Sequence, residues 1–159
     1  QNSEPQSSQS TQRKKKLTNK ILNIWTGIKE MDFEIKNKCN ALSKLIINAA
    51  IEVHSNLGPG LLESIYEECL CYELSKRNLD FKRQFELPVA YKNLKLNTNL
   101  RLDLIVEDLI IIELKAVDQI QEIHSAQLLT YLKLTGKWLG MILNFNVPEL
   151  KKGIKRVVN

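Results

Sequence analysis

The stretch that most narrows what this chain can fold into is RLDLIVEDLIIIELKA, residues 101–116, two adjacent strand-like runs that carry charge into apolar surroundings. Strand periodicity puts Leu100, Leu102, Leu104 and Val106 on one face of the first run, with Arg101, Asp103 and Ile105 on the other. In the second run Ile110, Ile112 and Leu114 share a face, while Leu109, Ile111, Glu113 and Lys115 share the opposite one. Glu107-Asp108 is a short polar link that suits a hairpin. A charged side chain in such a run is costly to bury unless it is paired or bound to a metal. Two acids and a lysine meeting on one sheet offer both solutions, since hard carboxylate oxygens hold divalent cations and the ammonium balances charge or orients a water. The plainer alternative is an ordinary hairpin with a surface Asp and a Glu/Lys pair.

Around this stretch the pattern is helix, helix, three or four strands in antiparallel hairpins, helix, strand. Leu42, Leu45, Ile46, Ala49, Ala50 and Val53 recur at helical spacing, and the glycines and proline of NLGPG (56–60) end that helix. His54 stands at the break, where it either faces a cleft or packs and caps. A second helix, from about Leu61 to Arg77, has a broad apolar arc into which Glu63 and Glu73 both project. Glu63 is set apart by its place at the helix N-terminus, beside the glycine turn. Phe85–Tyr91 and Leu94–Leu96 read as a hairpin turning at Lys92-Asn93, with Pro88 marking an edge or a bulge. Residues 120–134 form the third helix, with His124, Gln127 and Tyr131 on one stripe. Trp138–Phe145 is apolar enough for a buried strand.

The 159 residues suit one domain, and their 43% hydrophobic and 26% charged content is that of a soluble globular protein. Absence of an initiator Met suggests a fragment or a processed chain. Residues 1–30 read as a polar, basic tail, disordered over QNSEPQSSQSTQ, ahead of a domain at 31–159. Within the tail, Leu17, Ile21, Ile24, Trp25 and Ile28 suit a short amphipathic helix over 17–30 that docks on the domain or on a protein partner. Of the net charge of +5, residues 1–30 supply +4 and residues 31–136 sum to −3. RKKK at 13–16 suits a phosphate-binding arm, a nuclear-import patch or a solvated charge run, and Lys151, Lys152, Lys155 and Arg156 either meet phosphates or line a solvated face. Cys39, Cys69 and Cys71 form no CxxC pair, which speaks against a disulfide framework, a four-thiolate zinc site or an iron–sulfur cluster. The default compartment is intracellular and cytoplasmic, or nuclear if the basic run is an import signal.

GLLESIY at 60–66, RLD at 101–103, ELK at 113–115 and QLLTY at 127–131 stand in an order that resembles the GxxExxY family of the PD-(D/E)XK nuclease superfamily, over roughly residues 40–158. The resemblance implies an α/β, restriction-endonuclease-like αβββαβ core, a mixed sheet flanked by helices. It implies Mg²⁺ or Mn²⁺ held by Asp103, Glu113 and the carbonyl of Leu114, with Glu63 as a further ligand or orienting a metal-bound water. Lys115 would position the attacking water and offset phosphate charge, and Gln127 and Tyr131 would hold the substrate or Lys115. The activity implied is hydrolysis of phosphodiester bonds, in DNA, with a role in repair, defence or mobile elements. The alternative is a catalytically silent module of the same fold that binds nucleic acid or a partner protein. Two features depart from the pattern: Leu102 stands where the superfamily's proline would be, and the domain between the basic ends lacks the positive charge that phosphate binding draws on. A homodimer would enlarge the cationic surface.

Overall fold

The computed structural model describes residues 6–159, with the backbone alone over 6–11, so the expectation of disorder at residues 1–5 lies outside the described residues. Helix α1 runs continuously over Gln6–Leu57, where the sequence pattern suggests two separate segments. No proline occurs between Pro5 and Pro59. The lone interior Gly27 costs only about 1 kcal/mol, too little to break a helix on its own. The chain divides into two units, one ending at Lys38 and the other spanning Cys39–Asn159. The described part of the first, from Gln6, is helix, and its Leu17, Ile24, Trp25 and Met31 are exposed.

The second unit holds the rest of α1, then α2 (Glu63–Lys76), β1 (Phe81–Tyr91), β2 (Leu94–Val106), β3 (Ile110–Lys115), α3 (Glu122–Thr135), β4 (Leu139–Asn144), a 3-10 turn at Leu150–Gly153 and β5 (Ile154–Val158). The five strands lie in sequence order across one sheet. β1, β2 and β3 pair antiparallel, β3 and β4 pair parallel, and β5 returns antiparallel to β4. This is the mixed sheet flanked by helices of a restriction-endonuclease-like fold. β5 was not expected. Its IKRVV carries too few apolar residues to show a period, and its charged side chains suit an edge strand that must not pair further. No helix among the described residues is long and apolar enough to cross a membrane.

Each face of the sheet closes its own core. Ile46, Ala49 and Val53 of α1 and Tyr66, Leu70 and Leu74 of α2 pack with Leu104, Ile112, Leu114 and Met141 on one face. Leu128, Tyr131 and Leu132 of α3 cover Leu102, Ile105, Ile111 and Ile142 on the other. The buried stripe of α2 is narrower than its sequence suggests, because Leu61, Leu62, Ile65 and Tyr72 are exposed.

The face assignment for the first run fails at one point. Leu104 and Val106 belong to the α1/α2 core, but Leu102 is buried in the α3 core, with Leu100 packed against it. The register across β1 and β2 gives the cause: Arg83 pairs with Leu104 and Phe85 with Leu102, so Gln84, at φ 47°, sits opposite Asp103 outside regular pairing. A residue in that conformation breaks the period of two, and the strand changes face there.

Candidate active site

That break is where Asp103 is aimed. The ladder between β2 and β3 ends at Leu104 and Ile112. One step further on, where a backbone carbonyl of β2 would have accepted the Leu114 N–H, the carboxylate Oδ2 of Asp103 accepts it instead, at 2.8 Å. The strands part and the acid fills the gap. β4 continues to pair with β3 on its other side through Glu113↔Ile142 and Lys115↔Asn144, so the backbone that presents Glu113 and Lys115 stays rigid.

Glu113 is 5% exposed. Its Oε2 lies 3.7 Å from the Lys115 Nζ, while Oε1 is buried with no hydrogen-bond partner. Burial first, and the nearby Asp103 charge second, push its carboxyl up to about 7 against the pull of Lys115. Asp103 is also raised, chiefly by burial, with the Leu114 N–H and Lys115 opposing. Tyr131 of α3 feels the same field. Its phenol is raised by burial and then by Glu113 and Asp103, while a bond from Gln127 acts the other way. Two crowded acids that resist ionising, one with an orphaned oxygen, are relieved most directly by a cation.

Glu63 arrives from the first turn of α2. It remains at the rim of the site, exposed, with its Oε1 accepting the Ala116 N–H at 3.0 Å just past the end of β3. The reach depends on the turn before it. Gly58 and Gly60 have φ of 71° and 95°, a region that side chains with a Cβ rarely adopt. The Tyr66 hydroxyl donates to the Gly58 carbonyl at 2.7 Å and accepts from the Leu61 N–H at 3.0 Å. Its ring stacks on Phe145 with centroids 4.4 Å apart. In GLLESIY the glycine permits the turn, the glutamate reaches β3 and the tyrosine ties the two.

Two further residues hold the site and were missed from the sequence. Glu67, 6% exposed, accepts from the Arg83 Nε at 2.9 Å and from the Gln84 side chain, so α2 fixes the residue opposite Asp103. The signal available was its place one helical turn after Glu63. Asn144 is buried, with Oδ1 accepting the Val117 N–H at 3.1 Å and Nδ2 donating to the Val117 carbonyl at 2.8 Å, which fastens the segment after Lys115. His54 belongs to the packing: it donates to the Val147 carbonyl at 2.8 Å and lies beside Phe145. His124 closes a capping box with Gln121 at the start of α3.

The donors suit a small hard cation. Mg²⁺ uses one or two carboxylates and keeps several waters, so Asp103 and Glu113, with the Leu114 carbonyl, are the groups that could hold one. Among the described residues no group of three or more His, Cys, Asp or Glu side chains is gathered into a metal shell. The Glu63 charge still reaches Asp103, where it adds to the rise of that carboxyl.

A family model described as the PD-(D/E)XK nuclease superfamily matches residues 40–157. No curated protein and no solved structure matches the chain.

Proposed function

The chain belongs to the PD-(D/E)XK nuclease superfamily, and from that premise we propose that it is a metal-dependent nuclease of the GxxExxY kind, cutting phosphodiester bonds in DNA. The observation that carries this reading is the unpartnered Glu113 Oε1, buried beside Asp103 at the point where β2 leaves β3. Asp103, Glu113 and the Leu114 carbonyl would hold Mg²⁺ or Mn²⁺, with Glu63 reaching the group through water. A bound divalent cation polarises a phosphoryl oxygen and acidifies a water.

The protein's own groups supply the rest. Lys115, on the face of β3 that carries Glu113 and 3.7 Å from its carboxylate, would orient the attacking water and compensate the charge that develops on the phosphate. The bonded pair Gln127 and Tyr131 borders the two acids from α3 and would hold the substrate or Lys115. With its carboxyl raised to about 7, Glu113 holds a proton more readily than an ordinary glutamate, and would give it up in order to hold a cation. Substrate affinity would come from outside the near-neutral centre, including Lys151, Lys152 and Lys155 at the C-terminal edge, where all three are exposed.

Incubation with linear and circular DNA in Mg²⁺ or Mn²⁺ tests the reading. Cleavage by the native chain and its loss by about 10²–10³-fold or more in Asp103→Ala and Lys115→Ala is expected. Cleavage that survives both substitutions would overturn it. A second reading, a module of this fold without chemistry, is favoured by the net charge of −3 over residues 31–136, which gives the centre little with which to hold phosphates. Titration calorimetry separates the two, because a heat of Mn²⁺ binding that requires Asp103 and Glu113 excludes the silent module.

A further inference from the structure

The helical unit ending at Lys38 carries a seam that the nuclease reading does not use. Leu17, Ile21, Ile24, Ile28, Met31 and Ile35 follow one another at alternating steps of four and three, and all six are between 39% and 60% exposed. At 100° per residue they fall within an arc of about 80°, the narrow stripe of a two-stranded coiled coil, and too narrow for a helix lying in a membrane interface. Ile21, Ile28 and Ile35 take the a positions, and Leu17, Ile24 and Met31 the d positions.

We propose that this seam pairs with the same seam of a second copy, antiparallel. In that register Ile21 meets the partner's Met31, Ile24 meets the partner's Ile28, and Leu17 meets the partner's Ile35, so every apolar layer is filled by symmetry. Charge selects the direction. Antiparallel pairing brings Lys20, at a g position, against the partner's Glu34, twice by symmetry, and sets Trp25 beside the partner's Trp25. A parallel pair would instead place Lys20 against the partner's Trp25 and give Glu34 no cation from the partner, only Lys38 of its own helix at 3.4 Å. Burying the six seam side chains and Trp25 of both copies removes on the order of 1,000 Å² of surface, which is the lower limit for a stable interface.

Sedimentation equilibrium of the full chain at about 100 μM, well above a micromolar dissociation constant, should give twice the 18.3 kDa chain mass. Ile24→Asp and Ile28→Asp are surface changes, so folding is retained by circular dichroism, and each should return the mass to one chain. Leu22→Asp and Phe33→Asp lie off the seam and should leave the dimer intact. Lys20→Glu and Glu34→Lys should each weaken association by about tenfold, and the two together should restore it. A monomer at this concentration, a dimer that survives Ile28→Asp, or a double charge swap that fails to rescue would each overturn the proposal. None of these outcomes depends on DNA cleavage.

Discussion

The two halves of β3 share one strand and one neighbour, yet they serve different ends. Ile110, Ile111 and Ile112 pair on both sides and are fully buried, two of them toward α1 and α2 and one toward α3. Glu113, Leu114 and Lys115 pair only with β4, because β2 has turned away at Asp103. The first half is stable where it stands. The second is held by the first in an arrangement it would not choose, with a carboxylate in a ladder position and another left without a partner. The candidate groups therefore stand one residue beyond the last stable pairing, where rigidity is inherited and strand hydrogen bonds have been given up.

Truncating the stable half gives the larger effect. Ile112→Ala should cost about 2–5 kcal/mol by leaving a cavity between the sheet and α2, read as a lowered denaturation midpoint with an unchanged denaturant slope. If the loss is under about 1 kcal/mol, the first half is not the anchor described.

The strained half should respond with the opposite sign. Glu113 has a folded-state carboxyl raised to about 7 from an ordinary 4.5. In that window the folded state holds more protons than the unfolded one, so stability in chelator should fall as pH rises from 4.5 to 7, by about 3 kcal/mol in all. Glu113→Gln should reduce this slope to what the raised Asp103 carboxyl contributes and exceed the native chain in stability at pH 8. Mn²⁺ at pH 8 should stabilise the native chain more than the variant. Melting curves at pH 5 and pH 8 with and without metal read all of this, and a slope that persists undiminished in Glu113→Gln would refute the assignment.

The smallest change sharpens the role of the support. Tyr66→Phe keeps the ring on Phe145 but removes the hydroxyl that joins Gly58 to Leu61. A loss of about 1–2 kcal/mol is expected, with hydrogen exchange at Leu61 accelerating more than at Ile112. Uniform acceleration at both would mean that the turn has no separate stability.

The strand pair, the helices on either side and the three charged residues on β2 and β3 were legible in the sequence, because periodicity reports burial and a charge in an apolar run stands out. A period of two puts Leu102 on the wrong face because it assumes regular pairing, and nothing in the letters RLD announces that Gln84, nineteen positions before Asp103, leaves the ladder. Glu67 was passed over for a similar reason. A glutamate on a helix looks solvated until Arg83 and Gln84 are brought to it.

What the sequence determined by itself is local: which segments are helix or strand, and which side chains are too polar for their surroundings, since both follow from neighbours a few residues away. Tertiary structure alone decided that Asp103 turns edgewise into the gap beside Leu114, that Glu63 stops at Ala116, and that Glu113 keeps an oxygen unsatisfied. Those outcomes depend on where a strand ceases to pair, and that is fixed by contacts among α2, β1 and β2 rather than by any one of them.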